Sequence, residues 1–313
     1  MEWQNDDDGA KKQDSLQDYL ILILTDSNLP TGGFVASSGL ESYYVHGLLS
    51  GTGLQGCLDF IERSLQTYAR SSLPFLRGAH AAVSAYCHEE RSLDTASATT
   101  TSVMQRLAEL DAGYHTITLN HVARRASMAQ GTALLTLYTK SFAWELAKLD
   151  KGSSRDESKA SQIVKAFKNE VRIGSSPGHL AVCWGAFAAA LNIEQERATQ
   201  VHLFLQARAI VSSAVRLNIV GPYLAHSILA FHVKSLIEAA AHSAASPLQL
   251  AATPAQVVAA DDNVFDDDED QGWAWDWDDE AFWKQESGPK TTWPLGELIQ
   301  GRHDALHSRL FNS

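Results

Sequence analysis

Two stretches in the second half of the chain place apolar residues on nearly every side of a helical wheel. They run from His179 to Leu191 and from Arg197 to Ile219, and each is long for a strand. A helix that is apolar all round is stable in water only when other elements surround it. These stretches therefore predict a helical protein with both of them buried near its centre.

The remaining periodicity is also helical. Apolar residues recur every three or four positions from Gln55 to about Ser71 and from Val103 to Ser127. The pattern continues from Gln130 to Leu149 after a break expected at Gly131, and Ala79 to Glu89 is rich in alanine. Because no clear set of alternating strands accompanies these segments, we predict an all-α fold.

Composition divides the chain into a helical domain and less regular flanks. Residues 1–14 are polar and acidic and predict a disordered leader, whereas residues 15–243 carry the helical patterns and predict a single multi-helix domain. Residues 244–294 are low in complexity, acidic and rich in tryptophan, which predicts a disordered insert or a partner-docking segment. Residues 295–313 form a short amphipathic tail that is too short to be a stable helix alone, so it either packs back on its own domain or becomes ordered on a partner.

Charge and cysteine content narrow the class of protein. The net charge is −12, and the stretch from Ala255 to Lys290 has twelve Asp and Glu against two Lys, a balance of −10 that leaves −2 for the rest. Such a chain lacks the basic surface of a nucleic-acid binder. Its apolar runs are too short to cross a membrane, and its three cysteines are widely spaced. We therefore expect a soluble cytoplasmic protein.

One string suggests an enzyme. Gly174, Ser176 and Gly178 match the G-x-S-x-G pattern of serine hydrolases, which would make Ser176 the nucleophile. However, the residue after the serine is Pro177, which has no backbone N–H to donate to an oxyanion. A structural loop before a buried helix is the alternative. The chain has no G-x-x-x-x-G-K-[ST] string and so no phosphate-binding loop of this type.

His179 and Cys183 are separated by one helical turn, and both side-chain types bind nickel or zinc. Two ligands do not complete a site, so these residues are either weak metal candidates or ordinary core residues. Arginines at Arg124, Arg125, Arg208 and Arg216 interrupt apolar helical segments. A buried guanidinium needs hydrogen-bond partners, which lie either within the chain or across a subunit boundary.

The segment from Asp26 to Gly33 is dense in turn-forming residues and predicts a loop. Pro30 fixes one backbone angle, and Gly32 and Gly33 allow conformations that other residues avoid. We expect this loop to direct Phe34 into the helical core. The preceding run from Tyr19 to Leu24 fits either a strand or a buried helix.

Five stretches, in order along the chain, resemble the UreF family of urease-maturation factors. They are Leu24–Phe34 with Ser38–Glu41, Leu110–Thr116 with Asn120–Ser127, Gly178–Ala181, Ala214–Pro222 and His303–Ser313. The long leader and the acidic insert depart from the compact bacterial pattern and suggest a eukaryotic, fungal-type member.

The resemblance implies an all-α, dimeric, non-enzymatic adaptor. It would bridge a UreD-type scaffold (also called UreH) and the GTPase UreG during nickel insertion into apo-urease, with GTP bound by UreG and no cofactor held stably by this chain. A direct nickel carrier is the main alternative.

The candidate partner-binding residues are His303, Ser308, Arg309, Leu310 and Phe311 in the tail. The candidate dimer-interface residues are Arg124, Arg125, Arg208, Arg216 and Asn218. The motif-loop residues are Asp26, Pro30, Gly32, Gly33, Phe34 and Glu41. Arg309 would make a forked charged contact with the partner, and Leu310 and Phe311 would be the buried anchors.

Overall fold

The computed structural model describes residues 16–49, 51, 53–88, 96–149, 158–244 and 289–312. Within these residues all regular secondary structure is helical, which confirms the predicted all-α fold. The predicted leader, residues 1–14, and most of the insert, residues 244–294, lie outside the described residues. None of the described helices is long and apolar enough to cross a membrane.

The helices in chain order are α1 (16–24), α2 (Leu40–Val45), α3 (Gly53–His88), α4 (Ala96–Ile117), α5 (His121–Leu137), α6 (Ala143–Leu149), α7 (Lys159–Ile173), α8 (Leu180–Ala190), α9 (Gln195–Arg216), α10 (Pro222–Ser227), α11 (Val233–Ser243) and α12 (Pro294–Gly301). The ambiguous run from Tyr19 to Leu24 is therefore helical.

Helix α8 lies at the centre of the domain. Every residue from Ala181 to Ala190 is buried, and α3, α5, α7 and α9 pack around the helix. Trp184 and Phe187 are among its largest buried side chains, and the Trp184 indole donates to the Ala198 carbonyl on α9 at 2.9 Å. The expectation of a buried central helix here is confirmed, because an element apolar on all sides must be enclosed.

Two glycines let helices approach α8 closely. A Cβ at Gly185 would lie 2.2 Å from the Leu76 carbonyl on α3, and a Cβ at Gly131 would lie 2.2 Å from the Gly178 carbonyl before α8. The predicted helix break at Gly131 is wrong, since α5 continues through it. The residue is glycine because the two backbones nearly touch there.

Helix α3 joins two segments that the sequence suggested were separate. It runs for 36 residues and carries Pro74 in its interior. A proline inside a helix removes one backbone hydrogen bond and costs about 3 kcal/mol. Pro74 itself, with Leu73, Phe75 and Leu76, is buried in the core, and this burial offsets the penalty.

Two π turns interrupt otherwise continuous helices. Tyr138–Phe142 joins α5 to α6, and Ile228–His232 joins α10 to α11. Each inserts an extra residue into the helical repeat and so shifts the faces that follow it. The first of these turns presents Lys140 to solvent.

Helices α7, α8 and α9 end in the same way. Gly174, Asn192 and Asn218 each adopt a left-handed conformation, and the amide of the following residue reaches back to a carbonyl one turn earlier. For α9 this bond runs from the Ile219 amide to the Ala214 carbonyl at 2.9 Å. Asn218, proposed as an interface residue, thus has a structural role as a helix terminator.

Candidate partner-docking site

The loop between α1 and α2 holds a defined turn conformation. Asp26 Oδ1 accepts a hydrogen bond from the Asn28 amide at 3.0 Å. Gly32 has a φ of 76° and precedes a 3₁₀ turn at Gly33–Val35. Gly32 therefore supplies the backbone conformation that a side chain would disfavour, whereas Gly33 has no positive φ.

Phe34 does not enter the core, so the expectation that the loop buries it is wrong. Its side chain is 59% exposed. The Arg216 guanidinium carbon lies 3.9 Å from the Phe34 ring centroid and 4.1 Å from that of Phe311. Arg216 Nη2 also donates to the Phe34 carbonyl at 2.5 Å. The cation thus holds the ring at the surface.

Arg208 and Arg216 both find partners within the chain. The Arg208 guanidinium donates to the Thr25 carbonyl and, at 3.1 Å, to the Asp26 carbonyl. Burial lowers the pKa of both arginines below the ordinary value. Both arginines therefore have partners within the chain, and their placement at a homodimer interface remains a prediction.

Glu41, at the start of α2, connects the loop to the tail. Its side chain is buried, and Oε2 lies 2.8 Å from His303 Nε2. The Leu310 amide donates to Oε1 at 2.6 Å, and the Phe311 amide donates to Oε2 at 3.2 Å. A buried carboxylate is stable only when such donors replace the lost water. Glu41 therefore fixes the last residues of the described chain on the helical domain.

The tail packs on its own domain, which is one of the two alternatives that the sequence leaves open. His303 is fully buried and Phe311 is 3% exposed, so neither is a free anchor. The Asn312 amide donates to the Val35 carbonyl at 2.9 Å, which places the tail directly against the motif loop. Leu310 remains 68% exposed. We call the motif loop (26–36), Glu41 and residues 302–312 the loop–tail site.

A charge cluster around Asp304 strengthens this arrangement. Arg125 forms a forked contact with the Asp304 carboxylate at 2.8 and 2.9 Å, and Arg309 Nη1 donates to Oδ1 at 3.0 Å. His121 Nε2 lies 3.3 Å from Oδ2. The hydrogen bonds from Arg125 lower the pKa of Asp304 well below its usual range. Arg125 therefore joins the tail to α5, whereas Arg309 pairs with Asp304 within the tail.

The start of α5 is also bound to α12. Asn120 Oδ1 accepts bonds from the Val122 and Ala123 amides, which caps α5, while its Nδ2 donates to the Glu297 carbonyl at 3.1 Å. Arg124 donates to the Thr118 and His115 carbonyls at 2.9 and 3.0 Å. Arg124 thus satisfies carbonyls at the end of α4 and has an internal role.

A second polar centre lies inside the domain, around Asp111 on α4. The Asp111 carboxylate accepts from the Ser176 hydroxyl at 2.5 Å and from the Gly178 and His179 amides at 2.6 and 2.8 Å. Burial raises the pKa of Asp111, while these hydrogen bonds oppose the change. The centre ties the loop after α7 to α4.

His179 is fully engaged within this centre. Its Nδ1 lies 3.1 Å from the Ser127 hydroxyl, and its Nε2 lies 3.0 Å from His115 Nδ1. Burial, followed by the charges of His115 and Arg124, lowers the pKa of His179 to about 3. The imidazole is therefore neutral at physiological pH.

These contacts bear on the hydrolase and metal hypotheses. Ser176 is buried and donates a hydrogen bond to Asp111. The two ring nitrogens of His179 lie within hydrogen-bonding distance of Ser127 and His115. Cys183 is fully buried, and burial raises the pKa of its thiol well above the ordinary value. Among the residues that the structure describes, no three His, Cys, Asp or Glu side chains are grouped for a metal ion.

Comparison with known proteins identifies the family. The UreF family model matches residues 53–231, more than half of the chain. The chain belongs to the UreF family. Urease accessory protein 6 of Cryptococcus neoformans is 36% identical over 94% of this chain and 96% of its own length.

More distant UreF relatives extend the comparison. A UreF-like urease accessory protein of Schizosaccharomyces pombe is 26% identical over 94% of this chain and 97% of its own length. Urease accessory protein F of Oryza sativa subsp. indica is 29% identical over 67% of this chain and 66% of its own length. The resemblance to UreF seen in the sequence is therefore confirmed, and a fungal relative is among the matches.

The stretches that resemble UreF gather in two places. The first and last, at residues 24–41 and 303–312, meet in the loop–tail site, together with Arg216 from the fourth. Parts of the second and third, around Asp111 and His179, meet in the inner polar centre. The stretches that resemble UreF therefore contribute to one surface site, the loop–tail site, and to one internal polar centre.

Several residues of these two places had no assigned role from sequence. Asp304, Asp111, His115, Asn120 and Ser127 all lie in stretches that resemble UreF. The signal available was a polar residue in an otherwise helical, apolar context, which needs a partner when buried. The identity of that partner depends on contacts between distant parts of the chain.

Proposed function

We propose that this chain is a non-catalytic adaptor of urease maturation that joins a UreD-type scaffold to the GTPase UreG while nickel reaches apo-urease. Its relatives are named urease accessory proteins, which supports this class of function. Nickel is the cargo of the assembly. GTP is bound by UreG, in keeping with the lack of a G-x-x-x-x-G-K-[ST] string in this chain.

The observation that carries the proposal is the exposed apolar surface of the loop–tail site. Phe34, Val35 and Leu310 are 59%, 44% and 68% exposed, and the bond from Asn312 to Val35 brings loop and tail together. Arg309 lies beside them and is partly exposed. Exposed apolar side chains next to an arginine are typical of protein-binding hot spots.

The surface is also fixed before a partner arrives. Glu41 holds the backbone at Leu310 and Phe311, and Asp304 holds Arg125 and Arg309. A pre-organised surface loses less conformational entropy on binding than a segment that folds on its partner. We therefore assign scaffold binding to Leu310, Arg309 and Ser308 with Phe34, and a supporting role to His303 and Phe311.

The internal contacts favour an adaptor over the alternatives. The Ser176 hydroxyl is buried against a carboxylate, an arrangement that suits a structural link better than a nucleophile. His179 has both ring nitrogens occupied, which leaves it poorly suited to carry nickel. Equilibrium dialysis of the isolated chain with nickel distinguishes an adaptor from a direct carrier, which would retain the metal tightly.

Reconstituted urease activation tests the proposal. Leu310→Asp in the full chain, mixed with apo-urease, the UreD-type scaffold, UreG, nickel and GTP, should lower the yield of active urease at least tenfold. The matched control is Ile173→Asp, because Ile173 is 58% exposed at the end of α7. Full activation by Leu310→Asp, with both variants folded by circular dichroism, would refute the assignment of this surface.

A further inference from the structure

Cationic side chains gather where the π turn after α5 meets α7. Lys140 is exposed on the turn, and Lys168 Nζ donates to the Thr139 hydroxyl at 2.8 Å, which brings α7 beside it. Arg172 follows Lys168 by one helical turn on the exposed side of α7. Trp144 and Lys148 follow Lys140 by about one and two helical turns, and Lys148 Nζ lies over the Trp144 ring. We call these five residues, Lys140, Trp144, Lys148, Lys168 and Arg172, the cationic face.

The cationic face is only partly neutralised. Within the described part of the chain, Lys140 and Lys168 form no salt bridge, and Arg172 donates to the neutral Asn169 oxygen at 2.8 Å. Lys148 is paired with Glu145 at 2.9 Å. Burial and the charge of Lys140 lower the pKa of Lys168, consistent with crowded like charges. Such a cluster favours an anionic partner.

An aromatic side chain lies within the same surface. Trp144 is 69% exposed, and Lys148 Nζ lies 5.1 Å from its ring centroid. An exposed indole among ammonium and guanidinium groups matches a ligand that carries both carboxylates and aromatic rings. The π turn that presents Lys140 belongs to a class of helical irregularity that is common at functional sites.

The chain itself contains a segment with that chemistry. Residues 261–283 combine many acidic residues with aromatic ones, including Trp273, Trp275, Trp277 and Trp283, within the stretch whose charge balance is −10. We propose that the cationic face binds this acidic, tryptophan-rich segment of the same chain. The carboxylates would neutralise the lysines and Arg172, and indole rings would pack on Trp144 and on the cations.

The connections of the chain make this contact feasible. The Ala244 carbonyl, just before the segment, accepts from Arg77 on α3 at 2.6 Å, and Thr292, just after it, bonds to Thr67 on α3 at 2.9 Å. Lys159, at the start of α7, donates to the carbonyl of Tyr86, which is also on α3, at 3.2 Å. Arg77 and Tyr86 are nine residues apart on α3, and Lys159 and Lys168 are nine residues apart on α7, so each interval spans roughly 14 Å along its helix.

The length of the segment is also sufficient. The 44 residues from 245 to 288 would have a root-mean-square span of roughly 35–40 Å as a flexible chain. A tether of this length gives an effective concentration of about millimolar at the cationic face. Even a weak contact would then be populated within one molecule.

Carbodiimide cross-linking of the full-length protein tests this inference, because it joins a lysine directly to a contacting carboxylate. Mass spectrometry should find Lys140 and Lys168 joined to acids within residues 261–280 at low ionic strength. The yield should fall at least fivefold near 1 M salt, where the Debye length is about 3 Å. The control is Lys234, an exposed lysine on α11, which should yield few such products.

Two outcomes would overturn the inference. The first is that the segment cross-links to Lys234 as efficiently as to Lys140 and Lys168, or that it does not cross-link to Lys140 or Lys168 at all. The second concerns an equal mixture of ¹⁵N-labelled and unlabelled protein, cross-linked at low concentration. There, products that mainly join a labelled copy to an unlabelled copy would show that the contact is between molecules. Capture by a second copy or by an acidic partner would then replace the intramolecular contact.

A charge-reversed variant provides an independent check. Lys140→Glu with Lys168→Glu should lower cross-linking of Lys148 to the segment at least fivefold, whereas Lys234→Glu should not. Should circular dichroism reveal unfolding of the reversed pair, Lys140→Gln with Lys168→Gln replaces it and should give a decrease of at least twofold. An unchanged Lys148 yield in a folded variant contradicts the proposed docking.

Discussion

At the scale of single residues, Glu41 has the most consequential environment. Its carboxylate is buried and interacts with His303 and with the Leu310 and Phe311 amides, which are distant in sequence. Removal of a buried acceptor leaves its donors unpaired, and each such loss costs about 1–3 kcal/mol. The tail should therefore respond to this one side chain more than to any exposed contact.

Glu41→Ala should detach the tail while the central helices remain folded. We expect hydrogen exchange of the amides from His303 to Phe311 to accelerate at least tenfold, because their acceptor is gone. Glu62→Ala is the control, since Glu62 is exposed on α3. Unchanged exchange in the tail of Glu41→Ala would show that Glu41 does not hold it.

Two buried histidines predict how stability depends on pH. Burial lowers the pKa of His179 and of His202 to about 3. Because the folded pKa lies below the unfolded value of about 6.5, the stabilisation is complete above pH 6.5 and is lost as the pH falls toward 3. Each histidine should therefore contribute about 2 kcal/mol less at pH 5 than at pH 7.5.

Urea unfolding at both pH values checks this expectation. In His202→Gln the loss of stability on going from pH 7.5 to pH 5 should be smaller than in the parent by about 2 kcal/mol. His226→Gln, at an exposed position on α10, should keep the parent's dependence. Equal dependence in parent and His202→Gln would contradict a neutral, buried His202.

The structural roles of some residues could be predicted from the sequence, and those of others could not. The left-handed conformation of Gly32 follows from local turn chemistry, so the loop motif predicts it. The exposure of Phe34 depends on Arg216, 182 positions away, and the pairing of Arg125 with Asp304 spans 179 positions. Long-range partners of this kind are set by the packing of helices, which local patterns do not encode.

At the scale of elements, helical periodicity predicted which segments form helices but not where they join. Helix α3 continues through Pro74 because its surroundings are buried, and α5 continues through Gly131 because another backbone approaches it. Proline and glycine break isolated helices, so sequence rules place boundaries there. In both helices, tertiary packing outweighs the local preference for a break, and the helix continues.

Gly131→Ala should destabilise the protein although alanine favours helices. The added Cβ would lie 2.2 Å from the Gly178 carbonyl and 3.0 Å from Cys183 Sγ, so α5 and α8 must separate. Overpacking of this kind costs about 1–3 kcal/mol, which corresponds to a fall in Tm of roughly 2–12 °C.

The control for this change is Gly33→Ala, whose Cβ would lie 3.4 Å from Gln130 Oε1, an ordinary van der Waals contact. Thermal unfolding followed by circular dichroism should show a much smaller effect there. A Gly131→Ala protein with the same Tm as the parent would mean that the two helices separate at little cost in free energy.

At the scale of the whole molecule, the apolar stretches that form α8 and α9 determined the fold class, because such stretches must be enclosed by other helices. The sequence also separated the acidic insert from the helical domain. It left open whether the chain returns after the insert, and the structure places α12 and the tail against α2 and α5. That return creates the loop–tail site on which the proposed function rests.

Capture of the UreD-type scaffold is the most direct test of that function. The full-length chain and a chain ending at Gly301 should be compared in a pull-down, with circular dichroism on both. We predict that the shortened chain keeps its helical signal but captures the scaffold at least tenfold less well. Leu310→Asp in the full chain should also weaken capture. Capture at full strength by a folded chain that ends at Gly301 would contradict the loop–tail site as the docking surface.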